Sequence, residues 1–513
     1  MDYGRRRSGR NRQSGAELAT LRTGSLRFAG NAGRRRRLVG KWRPKPADVV
    51  VRRPRRDNLR PVHIELTPTR EPSTVLNPSL VLIYAFAALI AIGTLLLSLP
   101  FSHHGDGFAP FIDALFTATS AATVTGLIVQ DTGTYWTLGG QAVILLLMFI
   151  GGLGIMTIAS ALFILAGQRI SLTQRLVIRE TVGTATFTDI TAITVRIVVW
   201  AVAIQLVGFL ILAIRFAFVY EPWEAVWHGL FQGVSGFNNA GFVSFPDANS
   251  LLEFRSDRVV IGVIALLILV GSLSYWVIDD VVRSRGFTRL TLNSKLVLVF
   301  TGALLLIGML GYYLGEIGNS KTLGELSVVD QVTDSLFHSA NRTSGFSTGG
   351  FNDTREETNL LYMGLMFIGG ASASVAGGIK VNTFAIIVFA MLGAFQGRPR
   401  TVAFGRRVPA VQIIWALVVV SIGFVGIYMT AIVLTFFESD YHIVDLLFET
   451  VSAIGTVGFS TGITADLSVP SQIVLAIAMF VGRIGPPIAI VTALSRPDRE
   501  GMFRYTKERV VLG

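Results

Sequence analysis

Long apolar runs separated by short polar connections occupy most of this chain. Each run holds about 20 or more residues with few or no charges, which is the length that a helix needs to cross a membrane. The runs cover residues 80–100, 138–166, 197–219, 259–278, 296–314, 361–394, 411–437 and 473–494. The pattern predicts an all-α polytopic membrane protein with eight transmembrane spans.

A shorter apolar stretch lies between the two spans of each consecutive pair, and a glycine follows it. Each stretch contains a Leu-Phe pair, and the glycine follows the Phe by ten residues in copies one, two and four and by eight in copy three. A stretch of about ten residues is too short to span a membrane and is typical of a re-entrant helix. The third copy is therefore expected to have a shorter or rewound helix. The pairs are Phe116 with Gly126, Phe231 with Gly241, Phe337 with Gly345, and Phe448 with Gly458.

The glycines recur at intervals of 115, 104 and 113 residues, which indicates four copies of one unit. We predict four tandem M1-P-M2 repeats (helix, re-entrant pore loop, helix) around a pseudo-fourfold pore. Irregular backbone at membrane depth is tolerated only where protein buries it or where it lines a wet path. The predicted parts are a tail at 1–77, repeats at 78–180, 181–290, 291–407 and 408–495, and a C-terminal tail at 496–513.

The glycine segments carry chemistry that fits an ion path. Glycine adopts left-handed torsions without a Cβ penalty, so backbone oxygens can turn toward one axis and replace the water around an alkali cation. The chain has 53 glycines, which also serve tight turns and close helix packing, but the fourfold placement favours an ion path. The predicted filter residues are Thr123, Val124, Thr125, Gly126, Asn238, Asn239, Ala240, Gly241, Arg342, Thr343, Ser344, Gly345, Gly455, Thr456, Val457 and Gly458.

The basic residues are distributed unevenly along the chain. The formal net charge is +12, yet residues 1–76 hold 20 Lys or Arg against 6 Asp or Glu, a net of +14. This tail is rich in Gly, Ser and Pro, which predicts disorder. Such a tail can bind anionic lipid, RNA or a cytoplasmic partner, or it can serve as a solvated positive-inside anchor. Among these alternatives, we do not expect nucleic acid to be the partner. Every second connection is also basic, which places both termini in the cytoplasm of a cell-membrane protein.

Two further motifs accompany the glycine segments. Residues 369–380 read GGASASVAGGIK, and residues 482–486 read GRIGP. Together with the four segments, they make residues 78–495 resemble the Trk/Ktr/HKT superfamily of potassium transporters, specifically its Ktr-type membrane subunit. The resemblance implies K⁺ uptake through a channel-like pore, a homodimer, and a separate cytoplasmic ring of nucleotide-binding regulator subunits. It implies no covalently bound cofactor, and it leaves Na⁺ dependence open.

The small-residue stretch at 369–378 interrupts the sixth span. The resemblance implies that it is a gating loop beneath the filter and that Arg483 narrows the path and repels cations. The alternatives are a close helix-packing seam and, for Arg483, a structural bond to a carbonyl or to the loop. We expect alanine at Gly377 and Gly378 to change flux without changing selectivity. The predicted gate residues are Gly369, Gly370, Ala371, Ser372, Ala373, Ser374, Val375, Ala376, Gly377, Gly378, Lys380 and Arg483.

Selectivity also follows from the segments. Each has a single central glycine, unlike the double-glycine segments of strict potassium channels, so we expect one strong K⁺ position and moderate discrimination against Na⁺. A guanidinium in the path would oppose cation binding. Arg342 is therefore expected to point away from the axis, with Glu449 as its candidate partner. Lys380 is expected to anchor the loop toward the cytoplasmic side.

Three other function classes fit less well. A secondary transporter coupled to H⁺ or Na⁺ uses broken helices, but the spans hold almost no mid-span Asp, Glu or His for a proton relay. Sodium coupling stays open, because the filter oxygens also suit Na⁺. An enzyme is disfavoured because the chain has no cysteine and its six histidines show no metal-ligand spacing. An adaptor acting through the basic tail would not account for four re-entrant loops.

Overall fold

The computed structural model describes residues 49–50, 63–64, 78–154, 190–246 and 250–494. Residues 1–74 and 75–513 form separate units. In the first, the described residues are two short strands, β1 (Val49–Val50) and β2 (His63–Ile64), which pair antiparallel. The disorder predicted for the rest of residues 1–77 and the C-terminal tail at 496–513 both lie outside the described residues.

Fourteen α-helices make up most of the described part of the second unit. The first seven are α1 (Pro78–Ser98), α2 (Phe111–Thr123), α3 (Leu138–Leu153), α4 (Ile190–Phe216), α5 (Pro222–Asn238), α6 (Arg258–Ser272) and α7 (Tyr275–Ser284). The next seven are α8 (Leu292–Glu316), α9 (Val328–Ala340), α10 (Glu356–Phe367), α11 (Val381–Phe395), α12 (Ala410–Phe437), α13 (Ile443–Gly455) and α14 (Val469–Leu494). Short 3₁₀ turns lie at Leu252–Phe254, Phe287–Arg289 and Asn341–Thr343.

One small hairpin departs from the all-α prediction. Strands β3 (Val402–Ala403) and β4 (Arg406–Arg407) pair antiparallel between α11 and α12. Phe404 and Gly405 connect them with positive φ values of 49° and 74°. Two left-handed residues are typical of a tight hairpin turn, so the connection folds locally.

Three helices in the described part of the chain are long and apolar enough to cross a membrane by themselves: Val195–Phe216, Leu292–Glu316 and Ala410–Phe437. A fourth is reached if α6 and α7, which meet at a bend of 94°, count as one span. Shorter apolar helices occupy Ile83–Ser98, Leu138–Leu153, Val381–Phe395 and Val469–Gly485. The predicted run at 361–394 is divided between α10 and α11, and the run at 138–166 continues beyond the described residues. The count of eight spans therefore stays a prediction.

The short helices α2, α5, α9 and α13 bury one face against the longer ones. The Phe of each Leu-Phe pair is at most 1% exposed. The long helices carry large apolar side chains on their outer surface instead, with Ile214, Leu314 and Phe436 exposed by 65%, 70% and 81%. An extensive outer apolar surface around a core that holds many buried Ser, Thr and Asn residues suits contact with lipid.

Candidate functional site

The four predicted glycine segments meet in one place. Their glycines all have left-handed φ values, of 94°, 74°, 75° and 100° in chain order. A Cβ built on each glycine would collide with the carbonyl oxygen of the residue before the next glycine. These contacts run from Gly126 to Ala240, from Gly241 to Ser344, from Gly345 to Val457 and from Gly458 to Thr125, at 2.4, 2.2, 2.6 and 2.2 Å. Because the last contact returns to the first segment, the four segments form a closed backbone ring.

Burial follows the same pattern in all four segments. The three residues before each glycine are buried, and the glycine itself is partly exposed. The predicted filter residues are thus brought together, with solvent reaching the ring at the glycines. Among the described residues, no group of three or more His, Asp or Glu side chains is placed to hold a metal ion. The oxygen-bearing groups of the segments are the backbone carbonyls, the Ser and Thr hydroxyls and the Asn amides.

Three of the short helices end in the same way beside the ring. Val124, Asn239 and Thr456 each follow the last helical residue with φ values of 58°, 59° and 48°. The next backbone N–H then turns back to a serine carbonyl inside the helix, as in a left-handed helix cap. These bonds join Thr125 to Ser120, Ala240 to Ser235 and Val457 to Ser452.

The third segment departs from this geometry. Helix α9 ends at Ala340 and continues as the 3₁₀ turn Asn341–Thr343. The N–H of Gly345 then donates to the carbonyl of Asn341 at 3.2 Å. The shorter Phe-to-Gly spacing is accommodated by this tighter turn, as the sequence spacing predicted.

A serine that was not among the predicted site residues lies six residues before each glycine. Ser120 and Ser452 accept, through their Oγ atoms, the N–H groups of Gly126 and Gly458 at 3.0 Å. In the second copy, the Ser235 hydroxyl donates to the carbonyl of Phe242 at 2.8 Å. In the third, the Ser339 hydroxyl donates instead to Leu305 on α8. The constant spacing was a signal available in the sequence.

The predicted pairing of Arg342 with Glu449 is wrong. Arg342 donates to the carbonyls of Ile368 and Gly369, at the end of α10. Glu449 instead accepts bonds from residues that follow the fourth glycine, namely the Ser460 hydroxyl, the Thr461 N–H and the Thr464 hydroxyl. The carbonyls that bind Arg342 are free because α10 stops there. The end of α10 thus supplies carbonyl acceptors for Arg342, and these could not be identified from the sequence.

The predicted gate residues form the irregular connection between α10 and α11. This loop, residues 368–380, is closed at its base by bonds from Gly369 N–H to the Ile379 carbonyl and from Ile379 N–H to the Phe367 carbonyl. It lies directly against the ring, because a Cβ on Gly377 would be only 1.7 Å from Oγ1 of Thr456. The loop and the fourth glycine segment are therefore in contact.

Arg483 connects the loop to another element. Its Nη1 donates to the Val375 carbonyl at 2.8 Å, and its Nη2 donates to the Gly151 carbonyl near the end of α3 at 3.3 Å. Lys380 donates to the Ala376 carbonyl at 2.6 Å and so bonds within the loop. The structure thus gives Arg483 the carbonyl and loop contacts of the structural alternative.

Comparison with known proteins identifies the family. Residues 63–500 match the sequence profile of TrkH, which is described as a cation transport protein. The chain belongs to this family. The resemblance to the Trk/Ktr/HKT superfamily, based on the glycine segments and the two further motifs, is thereby confirmed.

Relatives in the family match nearly their whole length. The Ktr system potassium uptake protein B of Bacillus subtilis (strain 168) is 37% identical over 438 residues, covering 85% of this chain and 97% of that protein. The Ktr system potassium uptake protein B of Vibrio alginolyticus is 36% identical, with coverages of 84% and 94%. The potassium/sodium uptake protein NtpJ of Enterococcus hirae is 34% identical, with coverages of 85% and 98%.

A solved structure shows the same fold at low identity. The crystal structure of the potassium transporter TrkH from Vibrio parahaemolyticus superimposes with a TM-score of 0.61 and 16% identity. It covers 83% of this chain, and 86% of that chain is covered in return. The likeness supports the arrangement of helices.

Proposed function

We propose that this chain is the membrane subunit of a potassium uptake system and that K⁺ crosses the membrane through the ring of four glycine segments. The closed cycle of backbone contacts among the segments carries this proposal. Relatives named as potassium uptake proteins, at 34–37% identity over most of the chain, support the choice of ion. The proposal includes eight spans arranged as four M1-P-M2 repeats.

The ring would bind K⁺ through backbone oxygens. A dehydrated cation needs a set of oxygens at short range, and converging carbonyls provide them without a side chain. Four short helices end within a few residues of the ring glycines, so their C-terminal ends add negative dipole to the same region. The left-handed glycines allow the close approach, since any Cβ there would meet the next segment.

The loop at 368–380 is proposed as the gate beneath this ring. It touches Thr456 and is held by Arg483, so a displacement of the loop would change the space below the fourth segment. In a Ktr-type system, the membrane subunit would act as a homodimer with a separate cytoplasmic ring of nucleotide-binding subunits, which would control that displacement. Na⁺ either competes with K⁺ or is transported together with it, and uptake measured with and without Na⁺ distinguishes the two cases.

Two neighbouring glycines offer a matched test. Gly458 and Gly462 have similar φ values, of 100° and 92°, so alanine strains the backbone at both. A Cβ on Gly458 would lie 2.2 Å from the Thr125 carbonyl oxygen, whereas a Cβ on Gly462 meets nothing within 4 Å. Only Gly458→Ala therefore intrudes on the ring.

The assay is K⁺ uptake, with and without Na⁺, by cells that lack their own K⁺ uptake systems. Wild type and Gly462→Ala are expected to support uptake, and Gly458→Ala is expected to lower uptake or the preference for K⁺ over Na⁺ roughly tenfold. That factor equals about 1.4 kcal/mol, within the range of about 1–3 kcal/mol for overpacking. Equal uptake and equal ion preference in the two variants would show that the ring is not part of the transport path. Absence of K⁺ uptake by the wild type would overturn the proposed function.

A further inference from the structure

The junction between α6 and α7 lies between the ring and the loop. Helix α6 ends at Ser272, α7 begins at Tyr275, and the two are bent by 94°. In an unbroken helix, the carbonyls of Gly271 and Ser272 would accept N–H groups four residues later. Because the helix breaks, the two carbonyls are free to bind another part of the chain.

The loop uses both of these carbonyls. The N–H of Ala371 donates to the Ser272 carbonyl at 2.9 Å, and the N–H of Val375 donates to the Gly271 carbonyl at 3.2 Å. The break in α6 thus serves as the place where the loop is docked. Backbone groups that would otherwise be buried without partners are satisfied on both sides.

The side chain of Ser272 bonds to residues of the ring. Its hydroxyl donates to Oδ1 of Asn239 at 3.0 Å and lies 3.2 Å from the hydroxyl of Thr343. Thr343 also donates to the same oxygen of Asn239, at 2.8 Å. Asn239 belongs to the second glycine segment and Thr343 to the third, so one serine joins two segments of the ring.

The contact between α6 and the second segment is also very close. A Cβ on Gly271 would lie 1.9 Å from the Phe237 carbonyl oxygen and 2.9 Å from Nδ2 of Asn239. Asn239, Ser272 and Thr343 are each at most 5% exposed. These hydrogen bonds are therefore shielded from water, and the loss of one leaves its buried partners without a replacement.

We propose that Ser272 is a positioning residue that couples the loop to the ring, so that the state of the gate changes ion selectivity. The proposal rests on the proposed function and adds a regulatory link to it. When the loop leaves, Ala371 and Val375 release the Ser272 and Gly271 carbonyls, and the junction is free to move. The Ser272 hydroxyl then no longer holds Asn239 and Thr343 in the same position. By linkage, a cation that orders the ring also favours the docked loop.

Ser274 offers a matched control two residues away. It is 1% exposed, and its hydroxyl has no hydrogen-bond partner among the described residues. Ser272→Ala and Ser274→Ala therefore remove the same atom from equally buried sites, and only the first breaks a bond to the ring. Radioactive Rb⁺ uptake into liposomes that contain the purified full chain, with K⁺ or Na⁺ as competitor, measures selectivity for both variants.

Ser272→Ala is expected to change the K⁺ over Na⁺ preference roughly fivefold, as expected for the loss of a buried hydrogen bond. Ser274→Ala is expected to match the wild type. Thr343→Val removes the partner hydroxyl from the other side, and the double variant is expected to show less than the sum of the two single effects. Additive effects, or equal selectivity in Ser272→Ala and Ser274→Ala, would overturn the coupling.

The outcome also separates this inference from the proposed function. If Gly458→Ala loses selectivity and Ser272→Ala does not, the ring stands and the coupling fails. If Gly458→Ala keeps both wild-type uptake and wild-type selectivity, the ring itself fails. Should Ser272→Ala not fold, Thr343→Val alone decides: a preference shifted roughly fivefold supports the coupling, and an unchanged preference overturns it.

Discussion

Two different roles fit the position of Arg483. A positive charge near a cation path raises the barrier to ions, and a guanidinium that donates to two carbonyls holds two backbone segments together. The structure gives the second arrangement directly, between the loop at Val375 and α3 at Gly151. Substitutions that separate charge from hydrogen-bond geometry distinguish the two.

We predict that Arg483→Gln and Arg483→Lys both raise K⁺ uptake, each roughly tenfold, because neither reproduces the fork that joins the loop to α3. The measurement is initial uptake at matched expression. Arg215→Lys is the control, since Arg215 forms an ion pair at 2.7 Å with Asp257, a residue outside the loop and the four glycine segments. If Lys at position 483 behaved like the wild type while Gln raised uptake, charge alone would explain the residue.

Single residues were the least predictable part of the site. Arg342 reaches carbonyls that are free only because α10 stops at Phe367. Glu449 is satisfied by the connection that follows its own segment. The hydrogen-bond partners of both residues depend on the path of the chain after a helix ends, and this path could not be predicted from the sequence. The serine six residues before each glycine was visible in the sequence, but its bonds were not.

At the scale of elements, helix ends determine the geometry of the ring. Three short helices end in a left-handed residue, and a serine inside two of them accepts the N–H of the ring glycine. The third copy uses a 3₁₀ turn and directs its serine to α8 instead. The contacts between neighbouring glycine segments are therefore repeated four times, whereas the hydrogen bonds that hold each segment differ between copies.

Because the four serines form different hydrogen bonds, one of them can serve as a control for the others. Ser120→Ala and Ser452→Ala remove an acceptor from Gly126 and Gly458, so each should lower the K⁺ over Na⁺ preference roughly fivefold. Ser339→Ala occupies the same position in the repeat but has no bond to the ring, and it should leave the preference unchanged. Competition between Rb⁺ and Na⁺ uptake measures all three. Equal effects in the three variants would mean that the serines act through helix packing and not through the ring.

The loop also changes how a gate test should be designed. Alanine at Gly377 would place its Cβ 1.7 Å from Thr456 Oγ1 and 2.7 Å from the Gly455 carbonyl. Such a change disturbs the fourth segment and the loop together. The expectation that Gly377→Ala alters flux without altering selectivity assumed that the two elements are separate, and their contact makes this position unsuitable for distinguishing them.

At the scale of the whole molecule, the sequence predicted more than it did at the site. Repeated spacing of a Leu-Phe pair and a glycine indicated four related segments, and the motifs at 369–380 and 482–486 led to the family that the comparisons confirm. The bend between α6 and α7 and the docking of the loop on it were not predicted. An apolar run shows that a segment is buried or in lipid, but it does not show where backbone bonds pass from one segment to another.

Under our proposal, the four glycine segments bind the transported cation. X-ray diffraction from crystals grown with Rb⁺ in place of K⁺, recorded at the rubidium absorption edge, locates the ion directly. We expect one strong anomalous peak on the axis enclosed by Gly126, Gly241, Gly345 and Gly458. A strong peak elsewhere in the protein, with none inside this ring, would contradict it.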